Sequence, residues 1–394
     1  MSQLLKRIIL KELLSFDEQG IDLELRPLNV LIGPNGSGKS NLIEAISLFQ
    51  SAPGEMAETI RAGGGISDWL WKGKQRATAS IEAIINNPVV GSQENVRHRI
   101  CFTESNRRFE IVDERIEEEF PRNPNHDPQP YSYYRIIGNR HFLRARGSDQ
   151  ELELERKSID LEKSILAQRK DPYNYLEISN LASAYGLMRF YREWSFGRNT
   201  PPRQPQKTDQ RNDFLNEDCT NLGLVLNRIR RDIPSKEKVL ECLKELYPAV
   251  QDFDVIIEGG TAQVFLHEGK FSIPATRLSD GTLRYLCLLA ILCHPNPPPL
   301  ICIEEPELGL HPDVLVTIGK LLKETSKRTQ LIVTTHSDVL VDCMSDSPED
   351  VIVCEKPGDA SQMKRLCKEE LKDWLEDYSL GQLWTKGQIG GNRW

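Results

Sequence analysis

A glycine-rich loop near the N-terminus constrains this chain more than any other feature. Residues Gly33 to Ser40 read Gly-Pro-Asn-Gly-Ser-Gly-Lys-Ser. They follow a strand-like apolar run, Leu28 to Ile32, and open onto an amphipathic helix predicted over Lys39 to Phe49. A strand, this loop and a helix in succession are the context in which the pattern binds phosphate groups. The sequence therefore predicts an α/β fold that carries the loop at the end of a strand.

Each residue type in the loop has a chemical reason to be there. Glycine at Gly33, Gly36 and Gly38 lets the chain curl tightly with its amides pointing inward, which makes an anion nest at a helix N-terminus. Lys39 would reach the β- and γ-phosphates, and the Ser40 hydroxyl would bind Mg²⁺, which prefers oxygen ligands. The predicted nucleotide-binding residues of this segment are Asn35, Gly36, Ser37, Gly38, Lys39, Ser40 and Asn41.

A second apolar run ends in two acids. Leu300 to Ile303 is continuously apolar, as in a parallel strand buried on both faces, and Glu304, Glu305 and Pro306 follow it. An acidic pair can be a solvated patch, but its place between a buried strand and a proline favours function. By analogy with other phosphate-loop enzymes, Glu304 would hold Mg²⁺ and Glu305 would orient the attacking water.

The segment Leu278 to Thr282 reads Leu-Ser-Asp-Gly-Thr and precedes an apolar helix, Leu283 to Leu292. Alone, such a string indicates an N-cap and a turn. Placed about twenty residues before the acidic strand, it resembles the signature of ABC-type ATPases. Asp280 and Thr282 stand where that family commonly has glycine and glutamine, which resembles the SMC-like and OLD-like (RecF-like, AAA_21-type) branch rather than transporters. The resemblance implies that Ser279, Asp280 and Gly281 cap the γ-phosphate held by another subunit.

Two further segments carry the same resemblance. Glu307 to Pro312 resembles the D-loop of that branch, in which His311 would be a subunit-interface or active-site contact. The apolar run Leu331 to Val333 leads to His336, and a histidine at the carboxyl end of a parallel strand lies where open α/β sheets bind ligands. The resemblance makes His336 the switch histidine that contacts the γ-phosphate. The family also has a glutamine in a Q-loop, but Gln50 is too close to Lys39 for that role, and no adenine-stacking aromatic is identified.

The 394 residues and 39% hydrophobic content allow a large core. The expected fold class is α/β: an ABC-type ATPase head with a mixed central sheet, an antiparallel layer and an inserted helical subdomain. The predicted parts are an N-terminal lobe (1–145), a helical insertion (146–252) and a C-terminal lobe (253–394). A first hairpin is predicted over 4–14 and 21–25, and further antiparallel strands over 77–85, 96–102 and 107–112. A Pro- and Asn-rich loop at 121–130 separates these strands from the segment 131–142. Helices are predicted over 151–168, 173–191, 222–231 and 236–247, with a polar loop at 197–212.

The insertion lies where SMC-like ATPases carry a coiled coil. Its charged helix, predicted over Glu151 to Gln168, spans only about two heptads, too few for a coiled coil. A compact helical arm that packs on the head and meets a partner is therefore expected. The alternative is a structural elaboration that has no partner.

Charge and composition restrict the partners. The formal net charge of −8 means that the whole molecule does not attract DNA, and each local basic cluster is best interpreted as a solvated face. No apolar stretch reaches the roughly 20 residues of a membrane helix, and no signal peptide is evident. Nine scattered cysteines predict buried thiols in a cytoplasmic protein without a zinc site. The basic clusters are Arg97, Arg99, Arg107 and Arg108; Arg192, Arg198, Arg203, Lys207 and Arg211; and Arg228, Arg230 and Arg231.

The resemblance implies ATP and Mg²⁺ as cofactors and a head-to-tail homodimer that encloses two ATP molecules, with slow turnover until a trigger completes the site. A higher oligomer and contact with DNA are left open. OLD-family nucleases add a Toprim domain, which the 58 residues from 337 to 394 are too few to form, and the tail from Leu380 to Trp394 resembles the ending of bacterial stand-alone ATPases. The acids Asp252 and Asp254 are interpreted as ordinary head residues.

Three functions remain open from the sequence. The favoured one is a sensor or regulatory ATPase of a bacterial defence or genome-maintenance system, which works with a separately encoded effector such as a nuclease or toxin. The second is a RecF-like DNA-repair ATPase that acts without an effector. The third and weakest is the nucleotide-binding subunit of a transporter.

Overall fold

The computed structural model describes residues 3–391 except 90, 93, 123, 124, 126, 127 and 149. The fold is α/β, with a parallel sheet, an antiparallel sheet and a smaller sheet that is covered by helices. The strands are β1 (Leu5–Lys11), β2 (Ile21–Glu24), β3 (Leu28–Ile32), β4 (Thr78–Ile85), β5 (Val96–Ser105), β6 (Arg108–Glu118), β7 (Ser132–Ile137), β8 (Arg140–Arg144), β9 (Glu151–Leu154), β10 (Arg189–Tyr191), β11 (Gln206–Lys207), β12 (Val250–Glu258), β13 (Thr261–Glu268), β14 (Phe271–Pro274), β15 (Leu300–Glu304), β16 (Gln330–Thr334), β17 (Val351–Glu355) and β18 (Gln362–Arg365). The helices are α1 (Lys39–Ser51), α2 (Met56–Ala62), α3 (Ile66–Trp69), α4 (Ile165–Gln168), α5 (Leu176–Gly186), α6 (Leu222–Ile229), α7 (Ile233–Leu246), α8 (Asp280–Leu292), α9 (Leu315–Ser326), α10 (Asp338–Asp342), α11 (Lys368–Asp377) and α12 (Leu380–Thr385).

The central sheet has the order β10-β15-β16-β3-β17-β18, and its strands are parallel except for the antiparallel pair β17 and β18. Its strands β3 and β16 are buried at every residue, because apolar side chains cover both faces. Leu31 belongs to the hydrophobic core on one side, whereas Val30 and Ile32 belong to the core on the other. The predicted strands over Leu300 to Ile303 and Leu331 to Val333 are confirmed, and their carboxyl ends meet at one edge.

The antiparallel sheet has the order β2-β1-β4-β5-β6-β7-β8-β9 and packs with α1 and α5 around the first core. Strands β11 to β14 form the third sheet, which packs with α6, α7 and α8 in the second core. The predicted hairpin (β1 and β2) and the strands predicted over 77–85, 96–102 and 107–112 (β4, β5 and β6) are confirmed, with somewhat different ends. The segment 131–142 contains β7 and the start of β8. Part of the loop predicted at 121–130 lies outside the described residues.

The helix predicted over Glu151 to Gln168 is wrong. Residues 151–154 form β9, which pairs antiparallel with β8, and only α4 at the end of the segment is α-helical. The Glu-Leu-Glu-Leu alternation has a period of two, and Arg135 and Arg144 form ion pairs with Glu151 at 2.8 and 3.1 Å. Cross-strand pairing therefore overrides the helical propensity of the glutamates and lysines.

The segment predicted as one helix from Tyr173 to Tyr191 divides into α5 and the strand β10. Strand β10 extends the parallel sheet by pairing with β15, so the insertion contributes to the layer that carries the acidic pair. The helices predicted over 222–231 and 236–247 correspond to α6 and α7. The predicted domain boundaries themselves stay a prediction. Among the described residues, no helix combines the length and the apolar composition that crossing a bilayer requires.

Candidate nucleotide site

The phosphate loop curls between β3 and α1 as its glycines require. Gly36 and Gly38 have φ values of 80° and 99°, in the left-handed region that side chains disfavour. A Cβ on Gly33 would lie 2.1 Å from the carbonyl oxygen of Cys354, and one on Gly38 would lie 2.4 Å from the Ser361 hydroxyl. Gly38 caps α1 without a side-chain hydrogen bond, which leaves the amides at the helix N-terminus for an anion.

Lys39 lies inside this loop. Its side chain is buried, and its ammonium donates to the carbonyls of Gly33 and Pro34 at 2.7 and 3.0 Å. Burial lowers the pKa of Lys39, whereas Glu304 and Glu305 nearby raise it. The hydroxyl oxygen of Ser37 is buried without a hydrogen-bond partner among the described residues. A charge held by two neutral carbonyls, together with an unpaired buried hydroxyl, fits a loop that is shaped for a phosphate group.

The acid at the end of β15 faces the loop. The Ser40 hydroxyl lies 3.2 Å from one carboxylate oxygen of Glu304, and the Arg192 guanidinium lies 3.0 Å from the other. Arg192 also lies 3.7 Å from Glu44, and the Trp194 indole donates to the Glu304 carbonyl at 3.0 Å. The hydroxyl of Ser40 and the carboxylate of Glu304 are the oxygen ligands that suit Mg²⁺, so these residues fit the ion.

Arg192 is a site residue that sequence reasoning missed. The sequence analysis places it in a basic cluster interpreted as a solvated face. In the structure it forms an ion pair with Glu304, and its side chain is only about one-third exposed. It follows β10, the strand paired with β15, and only this pairing brings it to the acid. The sequence signal that could have found it is the short apolar run Phe190-Tyr191 immediately before it.

Glu305 has a backbone φ of 47°, which costs a non-glycine residue about 1–2 kcal/mol. Its amide donates to the backbone oxygen and the hydroxyl of Thr334 at 3.0 and 3.2 Å, and its carbonyl accepts from Arg284 at 3.1 Å. One carboxylate oxygen lies 3.6 Å from the Nε2 atom of His336. Neighbouring parallel strands thus bring a carboxylate and an imidazole together at the edge where the loop lies.

Glu307 joins the two loops that carry this pair. It accepts from the His336 amide at 2.6 Å and from the Thr335 hydroxyl at 2.8 Å. Burial raises the pKa of Glu307, and its second carboxylate oxygen has no hydrogen-bond partner in the described part of the chain. From sequence, Glu307 was only the first residue of the D-loop segment. In the structure, its carboxylate holds the backbone amide of His336 in place by a hydrogen bond.

The signature segment begins α8. Ser279 is the N-cap, and its hydroxyl accepts from the Thr282 amide at 3.0 Å, so the helix starts at Asp280 rather than at Leu283. Asp280 forms an ion pair with Arg203, whose side chain is only 9% exposed. Arg203 was assigned to a solvated basic face, but it is buried and holds this segment.

A cavity of about 540 Å³ lies beside the signature. Its lining includes Ser279, Gly281, Gly309 and His311, and none of the loop residues 33–41 is among its lining residues. The hydrogen bonds and ion pairs of Ser279 and Asp280 likewise join residues outside the loop. The structure therefore brings Lys39, Ser40, Glu304, Glu305 and His336 to one edge. Within the described residues, the contacts given for Ser279 and Asp280 do not reach the phosphate loop, although Arg284 of the same helix donates to the Glu305 carbonyl.

The remaining predicted residues have different surroundings. The amide of Asn41 donates to the Ser15 hydroxyl at 2.7 Å, whereas Asn35 and Gly36 are exposed. The side chain of Gln50 donates to the Met188 carbonyl at 2.9 Å, so this hydrogen bond is with a residue outside the phosphate loop. Other arginines of the basic clusters, and the acids 252 and 254, form ion pairs within the fold: Arg97 with Glu82 and Glu117, Arg228 with Asp213, Arg230 with Asp254, and Lys236 with Asp252.

Comparison with solved structures identifies the fold. An SmcHead bound to the C-winged helix domain of ScpA is 16% identical, with a TM-score of 0.57 over 93% of this chain and 99% of that one. An Smc head domain with an extended coiled coil bound to the C-terminal domain of ScpA, derived from Pyrococcus furiosus, is 15% identical, with a TM-score of 0.56 over 95% and 98%. An Smc head domain from Pyrococcus yayanosii is 14% identical, with a TM-score of 0.54 over 95% and 99%. These likenesses show that the chain has the fold of an SMC head.

No curated protein matches the chain. The family model AAA_21, described as "AAA domain, putative AbiEii toxin, Type IV TA system", matches residues 28–342, which include the phosphate loop, the signature, both acids and His336. The chain therefore belongs to the AAA_21 family of SMC-like, ABC-type ATPases.

Proposed function

We propose that this chain binds ATP with Mg²⁺ and hydrolyses it when two copies close head to tail around the nucleotide. One observation carries the proposal: Lys39, Ser40, Glu304, Glu305 and His336, which are scattered over some 300 residues of sequence, lie at the same edge of the parallel sheet. The arrangement matches what phosphoryl transfer needs, namely positioned charges and a polarised water.

Each residue has a role that follows from its contacts. Lys39 would exchange the carbonyls of Gly33 and Pro34 for β- and γ-phosphate oxygens. Ser40 and Glu304 would hold Mg²⁺, which when bound neutralises phosphate charge. Glu305 would orient the attacking water, and His336 would donate to the γ-phosphate from the neighbouring strand.

The position of the signature residues, away from the phosphate loop of the same chain, supports the proposed dimer. A helix N-terminus with its serine cap is suited to an anion, but no nucleotide-loop residue of the same chain lines the cavity beside it. Ser279, Asp280 and Gly281 would therefore cap the γ-phosphate held by a second copy, in an isologous pair with two equivalent sites. Turnover should be slow in dilute protein, because each site is complete only in the dimer.

We further propose that the ATPase is a cytoplasmic regulatory subunit of a bacterial defence system, and that it works with a separately encoded effector. The family description names a toxin and a toxin–antitoxin system. Two of the SMC heads of similar fold were solved bound to domains of ScpA, another protein. The ion-paired arginines and the net charge of −8 give no comparable support to DNA as the main partner.

The test uses ATP turnover and co-purification. Specific activity should rise with protein concentration, and the Glu305→Gln variant should form a dimer in ATP that mass photometry detects. The matched control, Lys39→Ala, should stay monomeric in the same buffer. The Glu305→Gln variant, purified with ATP from the native host, should retain a stoichiometric effector protein. Recovery of nucleic acid alone would instead support the RecF-like function, and activity independent of concentration would contradict the shared site.

A further inference from the structure

The C-terminal tail, residues Leu380–Gly391, lies between two parts of the nucleotide site. It begins on α10, the helix that starts two residues after His336. The amide of Gly381 donates to Asp342 at 2.6 Å, and a Cβ on Gly381 would lie 2.4 Å from the Asp338 carbonyl. Because the backbones approach this closely, only glycine fits there, and α10 is braced by the tail.

The other end of the tail reaches the phosphate loop. Gly391 has a φ of 72°, its amide donates to Glu355 at 2.8 Å, and its carbonyl accepts from the Trp384 indole at 3.3 Å. A Cβ on Gly391 would lie 3.4 Å from the Cα atom of Gly33 and 3.1 Å from a methyl group of Val353. A side chain at position 391 would therefore be in van der Waals contact with the first residue of the loop.

Gly33 has no space for a side chain. A Cβ on Gly33 would lie 2.1 Å from the carbonyl of Cys354, in the strand that pairs with β3. The Gly33 carbonyl also accepts from Lys39 at 2.7 Å. The position of Gly33, set between β17 and the tail, thus determines where the loop begins and where the lysine ammonium lies.

We propose that the C-terminal tail is a positioning element of the nucleotide site, which holds Gly33 through Gly391 and the helix after His336 through Gly381. This inference rests on the proposed function, because the ligand is the triphosphate that the loop would bind. It adds a requirement that the nucleotide motifs do not contain: affinity depends on residues about 350 positions away from the loop.

The tail also contributes to the core through Leu380, Leu383 and Trp384, which are buried. A merely structural tail would lower stability when altered and would leave the nucleotide affinity of the folded protein unchanged. The two roles separate when affinity and thermal stability are measured on the same variants.

The first variant is Gly391→Ala in the full chain. It strains the left-handed backbone and places a methyl group tightly against Val353 and in van der Waals contact with Gly33. Gly269→Ala is its matched control, because Gly269 has a φ of 55° with no other atoms within 4 Å of an added Cβ. The dissociation constant of a fluorescent ATP analogue and the Tm are measured for both. We expect Gly391→Ala to bind about fivefold more weakly than the control at a similar Tm.

The second variant, Trp384→Phe, keeps a smaller aromatic ring in the core and removes the indole N–H that donates to the Gly391 carbonyl. It should weaken binding about twofold, and it keeps the test available if Gly391→Ala does not fold. Wild-type affinity in both tail variants would overturn the positioning role while leaving the proposed function intact. Absence of nucleotide binding by the wild-type protein would overturn the proposed function and this inference together.

Discussion

The nucleotide edge and the signature segment are built differently. At the nucleotide edge, the Ser40 hydroxyl lies 3.2 Å from the Glu304 carboxylate, and the His336 imidazole lies 3.6 Å from the Glu305 carboxylate. At the signature, the hydrogen bonds of the Ser279 hydroxyl among the described residues are with Thr282 of its own helix, and Ser279 borders a cavity of about 540 Å³. Under the proposed function, one half of the ATPase site would be assembled in the single chain, whereas the signature would serve a phosphate group held by a second copy.

Removing the carboxylate of Glu305 tests the completed half most strongly. We expect Glu305→Gln to lower the turnover of ATP about 10²- to 10³-fold, since the amide cannot polarise water, while ATP still binds. Single-turnover hydrolysis measures the chemical step directly. Hydrolysis at the wild-type rate would remove Glu305 from the water-orienting role.

Lys39→Ala tests the loop itself. The substitution removes the charge on the β- and γ-phosphates, and we expect ATP affinity to fall on the order of 10²-fold. Calorimetric titration gives the dissociation constant, and far-UV circular dichroism checks that the variant folds. Unchanged affinity would contradict the nucleotide assignment.

Ser279→Arg tests the open half without touching the loop. A bulky cation at the helix N-terminus should clash with the partner subunit, so we expect ATP-dependent dimerisation to weaken at least about tenfold. ATP binding by the monomer should be unaltered, because the hydrogen bonds of Ser279 within the described residues do not involve the loop 33–41. Analytical ultracentrifugation and nucleotide titration separate the two effects, and a loss of monomer binding would mean that the two regions are not independent.

Arg192→Ala should have the smallest effect. Arg192 forms a partly exposed ion pair with Glu304, so its removal should free the acid for Mg²⁺. We expect the Mg²⁺ concentration for half-maximal binding of a fluorescent ATP analogue to fall about threefold. A higher Mg²⁺ requirement would show that Arg192 positions Glu304 rather than competing with the metal.

The parts predicted correctly from sequence depend on local patterns. The strand before Gly33, the helix from Lys39 and the buried strand before Glu304 were all recognisable, because each pattern lies within one short segment. The helix predicted over 151–168 failed because its first residues satisfy their backbone hydrogen bonds on β8, a partner that no local window contains. Arg192 and Arg203 were assigned to solvated faces for the same reason: their acids, Glu304 and Asp280, are distant in sequence.

By itself, the sequence determined which chemical groups this protein carries. The glycine spacing, the acidic pair and the histidine after an apolar strand are all fixed by the order of residues along the chain. Only the tertiary structure decided which groups meet. Parallel pairing of β15 and β16 sets Glu305 beside His336, β10 carries Arg192 to Glu304, and the tail reaches Gly33. The physical reason is that sheet pairing and core packing join residues over hundreds of positions, and their energies depend on partners that a local pattern does not specify.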